Sequence, residues 1–126
     1  MIGLVARACS KNKLNILLYH QVLDTKDPMR IDEPTSKDFY QQMWLLKKYY
    51  HPISLTRAVE LLRASKLPAN SVCVTFDDGY YNNLSNAAPI LTQLDIPATV
   101  FVATSFSEGE NMWNDNIIDL IGDTQR

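Results

Sequence analysis

Short apolar runs separated by polar stretches set the rhythm of the chain, and the spacing within the runs alternates between that of strands and that of helices. Residues 14–19 (LNILLY) are almost wholly apolar, have polar flanks and lead into His20, which predicts a buried strand. Residues 24–34 (DTKDPMRIDEP) are polar, hold Pro28 and Pro34, and predict a loop. Thr35, with Asp38 three positions on, resembles a capping box with Asp in the place of Glu and predicts a helix start. Phe39, Met43, Leu46 and Tyr50 then recur at helical spacing and predict one buried stripe. His51-Pro52 ends that helix, because a residue before proline avoids the helical region. Residues 53–55 predict a very short strand, and Thr56 is placed to cap a second helix carrying Ala58, Val59, Leu61 and Leu62.

After a loop at 67–70, residues 71–76 form a second apolar strand run. Leu84, Ala87, Ala88, Leu91 and Leu94 follow at three- and four-residue spacing, so 82–94 reads as helical. Pro89 inside it predicts a kink or the first turn of a later start. Residues 98–103 (ATVFVA) are a third strand, 104–111 a polar loop with Gly109, and 112–121 the opening of another helix. Alternation of this kind predicts an α/β fold with parallel strands and right-handed crossovers. Strands apolar on both faces predict a sheet covered on both sides. So few strands leave an open apolar edge, which points to part of a larger barrel and to self-association through that edge.

The length of 126 residues allows one domain, 1–126, with 1–12 as a short helix or frayed arm. A formal net charge of -2 offers no basic surplus for nucleic acid. Cys9 and Cys73 make no disulfide framework or zinc motif, and Cys73 reads as a small buried hydrophobe. No stretch is long and apolar enough for a transmembrane segment, and the N-terminus lacks the pattern of a signal peptide; the compartment stays open.

Candidate chemistry gathers at VCVTFDDGYYNN, residues 72–83, where the apolar run ends on Asp77 and Asp78. Active sites of parallel α/β folds lie at strand carboxyl ends. Adjacent side chains of an extended segment point to opposite sides, so one carboxylate could hold a divalent metal while the other reaches its water. Gly79 lets the backbone turn. The plainer alternative is that Asp-Asp-Gly is a turn and nothing more.

Thr75-Phe76-Asp77-Asp78-Gly79-Tyr80 resembles the first motif of the polysaccharide deacetylases, the NodB-homology or carbohydrate esterase 4 family. ILLYHQVL (16–23), DPMRIDEP (27–34), LP (67–68), APIL (88–91), IPATVFVAT (96–104) and MWND (112–115) look like successive blocks of one branch of it. The resemblance implies the N-terminal part of a distorted (β/α) barrel and a metal-dependent hydrolase that removes N-acetyl groups from a glycan. It implies Asp77 as catalytic base, Asp78 as ligand of a divalent metal such as zinc, and Gly79 or Tyr80 as a backbone N–H donor to the oxyanion. His20, Tyr81, Trp113, Asn114 and Asp115 are candidate substrate-lining residues, each with a structural role as its alternative. The family completes its metal site with an H-x-x-x-H motif, whereas the two histidines here, His20 and His51, form no such motif. The implied reading is a truncated domain, inactive alone; the other is a catalytically inactive carbohydrate-binding domain of the same fold. An aspartyl-phosphatase reading fails, because Gly79 stands where its D-x-D motif needs the second Asp.

Overall fold

The computed structural model describes residues 10–123. In chain order the elements are β1 (Asn15–Tyr19), α1 (Ser36–Tyr49), β2 (His51–Pro52), α2 (Leu55–Arg63) and β3 (Ser71–Asp78). A π-helical turn (Asn83–Ala87) then runs into α3 (Ala88–Gln93), followed by β4 (Ala98–Val102), α4 (Thr104–Ser107) and α5 (Trp113–Asp123).

The strands pair in parallel, as the alternation predicts, and β3 is the hub. One edge of β3 carries β1, from Asn15 opposite Val72 to Tyr19 opposite Phe76. Its other edge is shared: β2 pairs with Ser71 and Val72, and β4 pairs from Val74 to Asp78. This is the mixed α/β architecture of a partial barrel.

The period-two pleat of β3 divides the core. Val72, Val74 and Phe76 pack with Phe39, Met43 and Leu46 of α1 and with Ala87, Leu91 and Ile96. Cys73 belongs to a second cluster with Ala58 of α2 and Leu67. Tyr19, Phe39 and Phe76 meet as an aromatic trio with ring centroids 5.2 to 5.9 Å apart. Burying each such ring contributes about 1.5–3 kcal/mol, so this contact fixes how α1 lies on the sheet. The helix is positioned at its start by the predicted capping box: Asp38 N–H donates to Thr35 Oγ1 at 3.3 Å and Thr35 N–H to Asp38 Oδ2 at 3.4 Å.

Several expectations shift. Tyr50 is half exposed rather than part of the buried stripe, because it is the extended cap residue that ends α1. The short strand falls at His51–Pro52, and α2 starts at Leu55 with Ser54 in the cap position, two residues before the expected Thr56 cap. The helix expected over 82–94 divides at Pro89: the π-helical turn widens the backbone just before the proline, which sits in the first turn of α3, where a missing N–H costs little. A turn of helix, α4, forms inside the loop expected over 104–111. Residues 1–9 of the expected N-terminal arm, Cys9 among them, lie outside the described residues.

The expectation of strands covered on both faces holds for β3 and fails for its outer neighbours. Ile16 and Leu18 of β1 are 52% and 54% exposed, and Val100, Phe101 and Val102 of β4 are 45%, 52% and 56% exposed. Sequence pattern marks these residues for burial; among the described residues no further element covers them.

Candidate active site at the end of the central strand

The carboxylate doublet sits where β3 leaves the sheet. Asp77 pairs with Phe101 and Asp78 with Val102 of β4, so both acids lie at the carboxyl end of the most buried strand. The backbone then reverses at once. Asp78 has φ +71 and Gly79 φ +79. Gly79 N–H donates to the Asp77 carbonyl at 2.9 Å, closing a γ-turn of the rare positive-φ kind with Asp78 at its centre. Ala103 N–H donates to the Asp78 carbonyl at 3.2 Å and ties the turn to the end of β4.

This geometry replaces the extended-chain expectation for the two side chains. Strand alternation carries as far as Asp77 and stops, because the left-handed backbone of Asp78 re-aims its carboxylate independently of the pleat. A non-glycine residue held in this region is strained, and such strain concentrates at functional sites. Both carboxylates are half-buried, and neither has a hydrogen-bond or ion-pair partner among the described residues. The Gly79 N–H is already committed to the Asp77 carbonyl, so of the two expected oxyanion donors only Tyr80 keeps its N–H without a partner among the described residues.

Tyr80 anchors the turn from the other side. Its hydroxyl donates to Asp115 Oδ2 at 2.7 Å, and its ring packs on Phe106 with centroids 5.0 Å apart. Burial, and then the acceptor carboxylate, push the phenol well above its ordinary range, so it remains a donor across the physiological range. Asp115 also accepts from Arg30 Nη2 at 3.2 Å. Arg30 forks further to Asp119 at 3.0 Å and, through Nη1, to Asp27 at 2.8 Å. One guanidinium thus joins the loop after β1 to the first turns of α5, and Asp115 passes that link to the turn after β3. Arg30 stands in the DPMRIDEP block, but nothing in a polar loop marks which acids it will meet.

The other candidates are distributed unevenly. His20 follows Tyr19, which is opposite Phe76, and so leaves β1 at the height of the doublet, exposed. Tyr81 is exposed beyond the turn, and Trp113 and Asn114 are exposed at the start of α5. Asp115 is both a first-turn acid of α5 and the partner of Tyr80. His51 pairs with Ser71 at the opposite end of β3, away from the acids.

The sequence model described as "Polysaccharide deacetylase" matches residues 64–120, a span that holds the doublet, the turn, Tyr80 and Asp115. YxkH of Bacillus subtilis (strain 168), provisionally named a polysaccharide deacetylase, is 34% identical over 92 residues, covering 71% of this chain and 32% of YxkH. The poly-beta-1,6-N-acetyl-D-glucosamine N-deacetylase of Staphylococcus epidermidis is 29% identical over 122 residues, 86% of this chain and 42% of that protein. Among solved structures, IcaB from Ammonifex degensii superposes with a TM-score of 0.62 at 32% identity, covering 71% of this chain and 37% of that one. Over the part of the chain that they cover, the family model, the relatives and the solved structures all indicate a NodB-like polysaccharide deacetylase. It spans less than half the length of each of these relatives.

Within this deacetylase-type fold, a divalent ion at the doublet would need more ligands than the described residues bring together. Among them no group of three or more His, Cys, Asp and Glu side chains lies close enough to hold a metal. Catalytic zinc takes three protein ligands, so the described residues alone do not fit a complete centre.

Proposed function

We propose that this chain carries the carboxylate half of a glycan N-deacetylase site, which cleaves the C–N bond of an N-acetyl group to release acetate and a free amine. One observation carries the reading. Two unpaired carboxylates stand side by side at the carboxyl end of a buried central strand, the second of them held in a strained turn. Relatives named as poly-N-acetylglucosamine deacetylases support an N-acetylated glycan as substrate class.

In this reading Asp77 is the general base. It takes a proton from the water that attacks the acetyl carbonyl carbon, and the Tyr80 N–H stabilises the oxyanion as charge develops there. The tetrahedral centre then collapses, and the amine leaves with the proton that Asp77 took from the water, which returns Asp77 to its carboxylate form. Asp78 is the carboxylate assigned to a divalent cation, zinc by resemblance, whose remaining ligands come from outside the described residues. A bound cation of this kind supplies carbonyl polarisation and a more acidic water. The half-buried Tyr80–Asp115 pair holds the turn, and His20, Tyr81, Trp113 and Asn114 border the substrate. With one assigned ligand, the 126-residue chain binds metal weakly and is inactive alone.

Calorimetric titration of Zn²⁺ into the chain tests the metal assignment: weak binding is expected, and a tight one-to-one site that survives Asp78→Ala would refute it. Acetate release from N-acetylglucosamine oligomers tests the base, using a form of the protein that includes a downstream histidine pair. Asp77→Asn should abolish turnover and leave metal bound; retained turnover rules out Asp77 as base.

A further inference from the structure

We infer that Arg30 is a positioning residue of this site: through Asp115 and the Tyr80 hydroxyl it holds the turn after β3, and so fixes the direction of the Tyr80 N–H that meets the oxyanion. The inference rests on the deacetylase reading and adds to it a residue far from the carboxylates in sequence. Arg30 lies in the DPMRIDEP stretch and Asp115 in MWND, two stretches to which the proposed chemistry assigns no step.

The contacts form one continuous line. Arg30 Nη2 donates to Asp115 Oδ1 at 3.2 Å, and the Tyr80 hydroxyl donates to Asp115 Oδ2 at 2.7 Å. Each oxygen of the carboxylate is engaged by a different donor, which fixes its plane as well as its place. Arg30 and Asp115 are the more buried members, each with a side chain 17% exposed, against 66% for Asp119. Asp115 and Asp119 stand four residues apart on α5, so without the shared cation they repel. The rest of Tyr80 is engaged too: its ring packs on Phe106, and its carbonyl accepts from Asn83 N–H at 3.0 Å. Of its polar groups, the N–H has no partner among the described residues, and it follows directly on the positive-φ pair Asp78 and Gly79.

Arg30 is itself presented by a structured loop. Leu23 N–H donates to the Pro34 carbonyl at 2.9 Å and Ser36 N–H to the Leu23 carbonyl at 2.8 Å, so residues 24–34 leave and return at one place. Within the loop, Met29 N–H donates to Asp27 Oδ1 at 2.8 Å and Arg30 N–H to the Asp27 carbonyl at 3.1 Å. Asp27 Oδ2 accepts from Arg30 Nη1 at 2.8 Å and holds the guanidinium from its own side. A fork held at its root transmits position, whereas a lone surface ion pair contributes little. The Tyr80 N–H must point at an oxygen that becomes charged only in the transition state. A small rotation of the turn therefore slows the reaction without weakening the binding of substrate.

Acetate release from N-acetylglucosamine oligomers tests this, in the same form of the protein as for Asp77→Asn, with far-UV circular dichroism showing that each variant is folded at the assay temperature. Arg30→Gln should lower kcat about 10- to 100-fold and leave KM within about twofold. Tyr80→Phe should match it, and the double variant should fall no further than the worse single, because both break one linkage. Arg30→Lys should recover part of the loss. Leu67→Ala, which opens a cavity in the other core cluster, should keep kcat within about twofold. Normal kcat in Arg30→Gln beside an inactive Asp77→Asn overturns this inference and leaves the deacetylase reading standing; an equal loss in Leu67→Ala, or losses that multiply in the double variant, overturn it too. Nitrogen-15 relaxation at the Tyr80 amide gives a readout that needs no turnover: its order parameter should fall in Arg30→Gln from the rigid value of about 0.85. If the unsubstituted protein releases no acetate, the deacetylase reading fails and this measurement alone decides the positioning, which an unchanged order parameter overturns.

Discussion

Asp78 and Gly79 are consecutive residues with positive φ, and substituting each should move stability in opposite directions. An L-residue in the left-handed region costs about 1–2 kcal/mol, with Asp towards the low end because its short side chain tolerates the conformation. Glycine at position 78 would remove that cost and lose about 0.5–1 kcal/mol through the larger freedom of the unfolded chain. It would also remove a negative charge beside Asp77. Asp78→Gly is therefore expected to stabilise the chain slightly, by up to about 0.5 kcal/mol. Gly79→Ala takes on the conformational cost instead. Its new methyl would lie 3.4 Å from both Val102 Cγ atoms, ordinary contact that adds no clash. Offsetting the strain by the stiffer unfolded chain leaves a net loss of about 0.5–1.5 kcal/mol. Urea unfolding followed by far-UV circular dichroism, with the dependence on denaturant unchanged, measures both. Stabilisation on removing an acid would mark Asp78 as a residue kept for chemistry at the expense of the fold. If Asp78→Gly instead lost more than about 1 kcal/mol, the carboxylate would be making stabilising contacts and the strain argument would fail.

Arg30→Gln removes the cation shared by Asp27, Asp115 and Asp119 and should cost about 1–3 kcal/mol in the same urea assay, less than a fully buried network because Asp119 is exposed; Arg30→Lys should recover less than half, since an ammonium cannot fork. The raised pKa of Tyr80 means that its contribution is fully present below its ordinary value of 10.0 and is lost as pH rises through its folded value, so Tyr80→Phe should flatten the alkaline limb of stability. Asp38 runs the other way: the Thr35 hydroxyl lowers its pKa, so its contribution is present above the ordinary 3.8 and lost as pH falls through the folded value. Thermal melts of Asp38→Asn should show a shallower acid decline; an unchanged decline would mean that the capping box contributes nothing to the folded state.

Local patterns were readable wherever the interaction that decides them spans a few residues. Thr35 and Asp38 cap α1 as their spacing suggests, and Pro89 divides its helix where the missing N–H demands. The site was legible in part, because Asp77 and Asp78 end an apolar run and such a run could be recognised as a strand. The γ-turn was not, since Asp-Asp-Gly accepts several turn geometries, and the bond from Ala103 N–H to the Asp78 carbonyl joins segments that only pairing with β4 brings together.

From the order of its residues alone, this protein is committed to parallel strands alternating with helices, to a central strand that delivers two carboxylates at its end, and to a match with the polysaccharide deacetylases. Periodicity and capping act over one or two turns of chain, so they are written where they act. Only the tertiary structure decided that Arg30 reaches Asp115 and Asp119, that Asn83 is buried without a partner among the described residues while Asn82 and Asn86 beside it are satisfied, and that none of the described elements covers the apolar faces of β1 and β4. Those outcomes depend on which distant segments arrive at the same place. A side chain carries its chemistry in the sequence, but its neighbours are chosen by the packing of the whole sheet.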